Sequence, residues 1–270
     1  HRFSVNMLGR QLGKTTTAVG FLLWYAMFVP DSTILIAAHK YTGAQEIMQR
    51  LRYAYEMCPD MIRAGVVSYN KQSIEFENGS RIVAQTTTET TGRGMSISLL
   101  YLDEFAFVEP NIATEFWTSI SPTLATGGKA IITSTPNSDE DQFSLIWKEA
   151  NKRIDEYGNT TELGKNGFFP FMAVWSEHPD RDETWASEER SRVGEERFRR
   201  EHECEFLVFD ETLISSIKMA GMDGIEPIMK MGQCRWYKKI SPKNTYLVAL
   251  DPSLGTGGDP AGIQIIEIQL

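Results

Sequence analysis

One stretch of this chain constrains its fold more than any other: residues 8–16, with the sequence LGRQLGKTT. An extended run at residues 3–7 precedes it, and an apolar, helix-compatible run at residues 17–29 follows it. A strand, a turn ending in Gly-Lys-Thr and a helix form, in that order, the context of a phosphate-binding loop. The predicted phosphate-binding residues are Gly9, Arg10, Gln11, Leu12, Gly13, Lys14, Thr15 and Thr16.

The chemistry of such a loop depends on backbone N–H groups that point inward at phosphate oxygens, with the helix N-terminus adding partial positive charge. Lys14 would reach the β- and γ-phosphates as a point charge, and the Thr15 hydroxyl would complete the shell of a Mg²⁺ ion. The match departs from the pattern G-x-x-x-x-G-K-[ST], because Leu8 stands where the first glycine is expected. A polar turn that caps a helix is the alternative interpretation of this stretch taken alone.

The composition is that of a folded protein, since 41% of the 270 residues are hydrophobic and 23% are charged. The longest apolar run, at residues 18–29, falls short of the ~18 residues that a membrane-spanning helix needs, and no signal peptide is evident. The three cysteines and four histidines are scattered, which argues against a His/Cys metal site and favours a reducing compartment. A net charge of −9 argues against a protein that coats nucleic acid non-specifically. This net charge does not exclude local basic patches on the surface.

Short apolar runs that alternate with helical segments predict an α/β fold. Three runs have the continuous apolar character of strands that are buried on both faces: residues 33–38, 98–104 and 129–135. The pattern therefore predicts a mostly parallel sheet with helices on both faces. In addition, Asn78-Gly79 lies between two alternating runs and predicts a hairpin with a tight primed turn. The intervening helices are predicted at residues 17–29, 42–57 and 111–119.

The strand at residues 98–104 ends in two carboxylates, Asp103 and Glu104. Ligands of parallel α/β sheets bind outside the carboxyl ends of the strands, so both side chains are expected at the site. Asp103 would hold Mg²⁺ through water, and Glu104 would polarise the attacking water as general base. The alternative is that the pair simply begins a polar loop. The phosphate-loop motif upstream makes ATP hydrolysis the better explanation.

Two further features are candidates for a role in hydrolysis. Arg10, inside the loop, is placed to stabilise charge on the γ-phosphate as arginine fingers do; the alternative is a surface arginine on a turn. Thr133, Ser134 and Thr135 end the strand expected beside the Asp103 strand, and their hydroxyls are candidates for sensing the γ-phosphate. The alternative is that they are ordinary β-branched and polar strand residues.

The sequence pattern changes after Asn137. A helix is predicted at residues 143–157, and a long charged helix at residues 185–206 has the Arg and Glu content of a solvated face rather than of a DNA grip. A later strand, residues 245–251, ends in Asp251 and is followed by a glycine-rich turn and a second strand at residues 261–268. We predict three parts: an ATPase core (1–137), an accessory subdomain with linker (138–232), and the truncated start of another domain (233–270).

These motifs together resemble the large terminase subunit of tailed bacteriophages, most closely the T4-like group. The missing first glycine of the loop is usual in that family. The resemblance is carried by the variant loop at residues 9–15, the hairpin at residues 70–85, Arg93-Gly94, residues 101–107, residues 131–137, and residues 198–202 leading to Leu213-Ile214-Ser215.

The resemblance implies a P-loop NTPase of the RecA/ASCE type, an accessory subdomain and the start of a nuclease domain of RNase H-like fold. The ATPase would translocate double-stranded DNA into a procapsid, and the nuclease would cut concatemeric DNA with Mg²⁺ or Mn²⁺. By resemblance, Lys14 binds phosphate, Arg10 acts in cis on the γ-phosphate, Asp103 and Thr15 hold Mg²⁺, and Glu104 activates water.

The resemblance also assigns roles outside the hydrolytic centre. Residues 133–135 would couple hydrolysis to motion, Asp251 matches the first metal-binding Asp of the nuclease, and Asp259 stands where the family often has another acidic residue. The implied partners are double-stranded DNA, a portal protein, a small terminase subunit and further copies in a homo-oligomeric ring, with no membrane. The expected location is the cytoplasm of the infected bacterial host, not the mature virion.

The chain begins without Met and ends within an apolar run, so we interpret it as a fragment. It would lack the adenine-contacting segment of the family and the later nuclease carboxylates, and its nuclease is expected to be inactive because two-metal hydrolysis needs them. Two other functions stay open: a DExx-type DNA helicase, which shares the core and the Asp-Glu pair, and a nucleotide-binding scaffold subunit that does not hydrolyse. The scaffold would need neither Glu104 nor Arg10.

Overall fold

An eight-stranded sheet organises the first part of the chain. The structure is a computed structural model that describes residues 1–155, 157–206, 226–232, 234–251 and 262–268. Each continuous apolar run of the sequence forms a strand, because such a run can bury both of its faces only inside a sheet covered on each side. The strands are β1 (Phe3–Leu8), β2 (Thr33–Ala38), β3 (Val66–Tyr69), β4 (Ser73–Phe76), β5 (Arg81–Thr86), β6 (Leu99–Asp103), β7 (Lys129–Ser134) and β8 (Phe169–Ala173).

The order of the sheet is β3-β4-β5-β2-β6-β7-β1-β8. The six strands β5, β2, β6, β7, β1 and β8 are mutually parallel. Strand β4 runs antiparallel to both of its neighbours, β3 and β5, and is the one strand of this sheet that runs in the opposite direction. The predicted mostly parallel sheet is therefore confirmed. Strand β7 lies between β1 and β6, with Thr133 paired to Asn6 on one side and to Asp103 on the other. This arrangement brings the carboxyl ends of β1, β6 and β7 together.

Helices cover both faces of the sheet, as predicted. Helices α1 (Lys14–Phe28) and α2 (Tyr41–Met57) pack on one face, and α3 (Pro110–Ile120) and α4 (Gln142–Ala150) pack on the other. Helices α5 (Glu183–Val193) and α6 (Glu195–His202) form a smaller apolar cluster with Trp175.

Successive side chains of each strand point to opposite faces, and the two resulting cores are separate. Leu99 and Tyr101 of β6 join the core under α1 and α2, whereas Leu100 and Leu102 join the core that includes α3 and α4. Both cores hold fully buried large side chains, such as Leu22 on the first face. The sheet is therefore rigid at the strand ends where the candidate site lies.

Two predicted helices are shorter or broken in the structure. The helix predicted at residues 143–157 ends at Ala150, where α4 ends. The single charged helix predicted at residues 185–206 is two helices, because Gly194 lies between them with φ 87° and ψ 152°. Only glycine adopts that backbone conformation readily, so the chain turns there instead of continuing the helix.

The hairpin between β4 and β5 forms, but the predicted primed turn is wrong. The Gly79 N–H donates to the Phe76 carbonyl at 3.1 Å, and the Phe76 N–H donates to the Ser80 carbonyl at 2.8 Å. Gly79 has φ 83°, whereas Asn78 has no positive φ. These contacts define a three-residue loop with a type I turn followed by a left-handed glycine, the next most common hairpin connection.

The chain divides into two compact units, His1–Phe209 and Asp210–Leu270. Strand β8 follows Asn137 and pairs with β1, so the sheet of the first unit includes residues beyond the predicted core boundary. The second unit contains two hairpins, formed by β9 (Met229–Met231) with β10 (Cys234–Trp236) and by β11 (Thr245–Asp251) with β12 (Gly262–Ile268). Strand β11 has the predicted bounds. Among the described helices, none combines the length and apolar character needed to cross a membrane.

Candidate nucleotide site

The predicted phosphate-binding loop connects β1 to α1 at the carboxyl edge of the sheet. It bends through two left-handed residues, Gln11 with φ 59° and Gly13 with φ 79°, and α1 begins at Lys14. The first residues of the loop pack closely on the end of α6, because a Cβ atom on Gly9 would lie 3.0 Å from the His202 carbonyl oxygen. Glycine therefore relieves crowding at position 9, where the backbone passes close to the end of α6.

The N–H groups of the loop fall into two sets. The Gly9 N–H donates to the Ala173 carbonyl at 2.9 Å, and the Arg10 N–H donates to the Glu201 carbonyl at 2.8 Å. In contrast, the N–H groups of residues 11–16 make no hydrogen bond of good geometry within the described part of the chain, and the first helical bond is from Thr17 to Gly13. Consecutive unpaired N–H groups at a helix N-terminus bind anions, and this is the chemistry that a phosphate would satisfy.

Lys14 and Glu104 are in direct contact in the structure. The Lys14 ammonium donates to Glu104 Oε1, and the two side chains are 12% and 26% exposed. Glu104 follows β6 directly and has φ 52°, an unusual conformation for a residue with a side chain. Its second oxygen, Oε2, is buried and has no hydrogen-bond partner among the described residues. The predicted base and the predicted phosphate-binding lysine are thus brought together from positions ninety residues apart in sequence.

Asp103 lies beside this pair in a polar network of hydroxyl groups. Asp103 Oδ1 is 3.1 Å from the Tyr101 hydroxyl and 3.1 Å from the Thr133 hydroxyl. Burial raises the pKa of Asp103 above its usual value, while the Lys14 charge and both hydroxyl donors lower it. Thr133 has a second acceptor, the Leu102 carbonyl at 3.2 Å, so its one proton can be donated to either group.

The three predicted coupling residues occupy different environments. Thr133 contacts Asp103, as described above. Ser134 Oγ instead accepts a hydrogen bond from the Ala106 N–H at 3.2 Å, in the short 3-10 helix Phe105–Phe107 that follows Glu104. Thr135 is buried and directly follows β7. Residues 133 and 134 therefore connect β7 to the segment on either side of Glu104.

Arg10 is directed to α6. Its Nε atom lies 3.3 Å from Glu201 Oε2, and its side chain is about half exposed (52%). Glu201 is buried and also accepts from Arg197 Nε at 3.0 Å. In this structure, then, Arg10 is paired with a carboxylate rather than free inside the loop.

Sequence reasoning missed several residues at the site. Tyr101 is predicted as a residue of the strand at residues 98–104 and Glu201 as a residue of the charged helix at residues 185–206. Both are among the residues that carry the resemblance, but neither is assigned a role at the site, and Arg181 lies outside the predicted elements. His39 follows the carboxyl end of β2, and burial lowers its pKa while the charge of Glu104 raises it. The rule that ligands gather at the carboxyl ends of parallel strands would have found His39. For Arg181 the sequence contains no comparable signal.

The predicted nuclease residues are only partly described. Asp251 is the last residue of β11, where it pairs with Gly262 of β12. Asp259 and Leu213-Ile214-Ser215 lie outside the described residues. In the described ranges, the His, Cys, Asp and Glu side chains form no group of three or more that could hold a metal ion. A Mg²⁺ ion that arrives with a nucleotide needs fewer protein ligands, and the Asp103 carboxylate and Thr15 hydroxyl are hard oxygen donors of the kind it prefers.

Solved structures that share this fold include large terminases. The ATPase domain of the Thermus phage P74-26 large terminase aligns with a TM-score of 0.61 and 23% identity, over 76% of this chain and 89% of that chain. The HK97 bacteriophage large terminase aligns with a TM-score of 0.59 and 17% identity, over 93% and 53% of the two chains. The large terminase of a thermophilic bacteriophage, in complex with ADP, aligns with a TM-score of 0.58 and 10% identity, over 99% and 60%. The fold is therefore that of a P-loop NTPase, as predicted.

Sequence comparisons agree with the structural ones. The large terminase subunit of Thermus virus P23-45 is 28% identical over 289 aligned residues, which cover 98% of this chain and 57% of that protein. The corresponding protein of Thermus phage G20c is 27% identical over the same extent. This chain thus spans little more than half the length of the relatives it matches. The family model described as "Terminase large subunit, T4likevirus-type, N-terminal" matches residues 5–219, and the chain accordingly belongs to the T4-like type of terminase large subunits.

Proposed function

We propose that this chain hydrolyses ATP as the motor part of a terminase large subunit and translocates double-stranded DNA into a procapsid. The observation that carries this proposal is the contact between the Lys14 ammonium and the Glu104 carboxylate at the mouth of the phosphate loop. A phosphate-binding cation and a carboxylate base must both lie within reach of the γ-phosphate for ATP hydrolysis. A site that only bound the nucleotide would have no use for Glu104.

In the proposed mechanism, the N–H groups of residues 11–16 and the Lys14 ammonium bind the phosphates. Glu104 polarises the attacking water and accepts its proton. To do so it must release Lys14, and the incoming phosphate is the competing partner for that lysine. Asp103 and Thr15 are the residues that would hold Mg²⁺, which supplies charge neutralisation on the phosphate oxygens when it is bound.

Arg10 is proposed to stabilise charge on the γ-phosphate in cis. In the structure Arg10 contacts Glu201, so this role requires it to exchange a carboxylate for a phosphate oxygen. Both groups are anionic acceptors for a guanidinium, and the exchange therefore costs little in hydrogen bonding. The same exchange would transmit the presence of the γ-phosphate to α6.

Residues 133–135 are proposed to couple hydrolysis to motion. The support is the position of Thr133 against Asp103 and of Ser134 against Ala106, which places both ends of the Glu104 segment in contact with β7. After β7 the chain continues to α4, whose N-cap Asp141 is buried. A shift at the strand end would therefore be passed to a packed helix and not lost in a loop.

The second unit is proposed to be the start of a metal-dependent nuclease domain of RNase H-like fold, with Asp251 as a ligand for Mg²⁺ or Mn²⁺. Strands β11 and β12 expose large aliphatic side chains, including Leu247, Val248, Ile265 and Ile266, as expected of a strand pair that belongs to a larger sheet. A two-metal site needs further carboxylates besides Asp251, and we expect nuclease activity only where such carboxylates are supplied.

The proposed partners are double-stranded DNA, a portal protein, a small terminase subunit and other copies of the same chain in a ring. The proposed place of action is the cytoplasm of the infected bacterial host. The family membership supports these assignments, and none of them follows from the site geometry alone.

The test is steady-state ATP hydrolysis by this chain and by Lys14→Ala, each with and without linear double-stranded DNA. Turnover that requires Lys14 and rises with DNA is the expected result. Bound ATP without hydrolysis would favour a scaffold subunit, and strand separation on a forked duplex would favour a helicase. Failure of the wild-type chain to bind ATP would contradict the proposal for the phosphate loop.

A further inference from the structure

Arg181 is held in place immediately before α5. Its N–H donates to the His178 carbonyl at 3.1 Å, and the next residue, Asp182, caps α5 by accepting from the Trp185 N–H at 2.8 Å. Backbone and cap contacts on both sides therefore fix where the Arg181 side chain begins.

The Arg181 guanidinium reaches back to the phosphate loop, 171 residues earlier in the chain. Its Nη1 donates to the Arg10 carbonyl at 3.1 Å, and its Nη2 donates to the Gln11 carbonyl at 3.4 Å. Nη2 also lies 3.5 Å from Gln11 Oε1. Two nitrogens of one planar group thus hold two successive carbonyls, a geometry that the fork of an arginine matches and a lysine ammonium does not.

An aromatic platform supports the guanidinium from the other side. The Arg181 Cζ atom lies 4.4 Å from the centroid of the Trp185 ring. That ring in turn packs against Trp175, Phe198 and His202, with centroid distances of 5.9, 6.2 and 5.4 Å. Because Phe198 and His202 are buried, the platform has little freedom to move, and it orients the guanidinium plane.

The carbonyls that Arg181 holds determine where the neighbouring N–H groups point. A peptide unit is planar and trans, so its C=O and the following N–H point in opposite directions. The Arg10 carbonyl shares a plane with the Gln11 N–H, and the Gln11 carbonyl shares a plane with the Leu12 N–H. These are the first two N–H groups of the unpaired set. Because Arg181 holds both carbonyls, both N–H groups point away from its guanidinium.

The same contacts stabilise an unfavourable backbone conformation. Gln11 has φ 59°, a left-handed conformation that is sterically unfavourable for a residue with a side chain. Such a backbone conformation persists where contacts with the surrounding structure hold it in place. Arg181 contacts both the backbone carbonyl and the side-chain amide of Gln11, and these contacts hold Gln11 in the left-handed conformation.

We propose that Arg181, supported by Trp185, is a positioning residue that presets the Gln11 and Leu12 N–H groups for the phosphates of a nucleoside di- or triphosphate. This inference rests on the proposed ATPase function and adds to it a residue outside the loop. It makes Arg181 a determinant of nucleotide affinity. Lys14 and Glu104 stay in place without it, so the chemical step is largely independent of Arg181.

The experiment compares Arg181→Ala and Arg181→Lys with the unaltered chain by calorimetric titration with ADP and by steady-state kinetics with ATP. Both variants should bind ADP about tenfold more weakly, as expected when two hydrogen bonds to a charged phosphate are misaligned. The KM for ATP should rise similarly while kcat changes less than about threefold, since the base and the lysine are intact. Trp185→Leu, which keeps apolar volume and removes the aromatic face, should lie between these variants and the unaltered chain.

Arg63→Ala is the matched control. Arg63 also lies over an aromatic ring, at 5.7 Å from the Tyr55 centroid, and also donates to a backbone carbonyl, that of Glu56 at 3.3 Å, but away from the loop. It should leave ADP affinity unchanged. Equal ADP affinity in Arg181→Ala, or full rescue by Arg181→Lys, would overturn the inference, provided that Lys14→Ala loses binding in the same titration. If Lys14→Ala also binds ADP normally, the proposed phosphate site itself fails.

Discussion

Replacing Glu104 with glutamine should strengthen nucleotide binding and slow hydrolysis. In the structure Glu104 Oε1 accepts from the Lys14 ammonium, and the pair is largely shielded from water. A phosphate must displace this carboxylate to bind Lys14. The free energy of the Lys14–Glu104 contact is therefore subtracted from the free energy of nucleotide binding.

The magnitude follows from the kind of hydrogen bond that is changed. A hydrogen bond to a charged group contributes about 1.5–3 kcal/mol, and its neutral counterpart roughly half as much. The amide oxygen of the introduced glutamine would still accept from Lys14, so the substitution weakens the competing contact by about 1 kcal/mol. Affinity for a triphosphate should accordingly increase about fivefold. The loss of a general base should lower hydrolysis by about 10²–10⁴.

The assay is calorimetric titration of both proteins with a slowly hydrolysed ATP analogue, followed by single-turnover hydrolysis of ATP. Glu109→Gln is the matched control, because Glu109 is exposed at the start of α3 and the same chemical change there should alter neither quantity. Near-normal turnover of the Glu104→Gln variant would refute the assignment of Glu104 as base. Weaker analogue binding would refute the argument that Glu104 competes with phosphate for Lys14.

Three further predictions concern folding. Phe116→Ala should lower the free energy of unfolding by roughly 3–5 kcal/mol in urea titrations, because Phe116 is fully buried beside Phe105. Gly194→Ala should cost roughly 1–3 kcal/mol in the same titrations, since its φ of 87° strains any side chain while its Cβ would meet no atom within 4 Å. Burial raises the pKa of Asp141 to about 6, so the folded state binds the extra proton more readily than the unfolded state does. Asp141 therefore adds to the free energy of unfolding at low pH, and this contribution is lost as pH rises from about 4 through 6. The loss is roughly 3 kcal/mol at most. Asp141→Asn should remove this part of the pH dependence.

Each of these outcomes has a comparison that would contradict it. Leu145→Ala, at an exposed position of α4, should cost far less than Phe116→Ala, and an equal cost would argue against the buried core at Phe116. Unchanged stability of Gly194→Ala would mean that α5 and α6 are not divided by backbone conformation. A wild-type chain and Asp141→Asn with parallel stability profiles between pH 4 and 7 would show that Asp141 titrates at its ordinary pKa.

Local sequence patterns were sufficient to predict the parallel part of the sheet and the central part of the candidate site, whereas the edge strand β3 was not predicted. Apolar runs predicted the strands, and the rule of carboxyl ends predicted that Lys14, Asp103, Glu104 and Thr133 would meet. The reason is that each of these residues directly follows or ends a strand or begins a helix. Once the strands are parallel neighbours, such positions gather at one edge whatever the details of the side-chain packing.

The tertiary structure alone decided what surrounds the loop. Glu201 and Arg181 contact Arg10 and Gln11 from more than 160 residues away, through hydrogen bonds to individual side-chain and carbonyl atoms. Such contacts follow no periodicity, because they depend on where α5 and α6 pack against the loop. The same holds for the orientation of the loop N–H groups. The sequence of residues 8–16 allows this orientation, but the packing of α5 and α6 against the loop sets it.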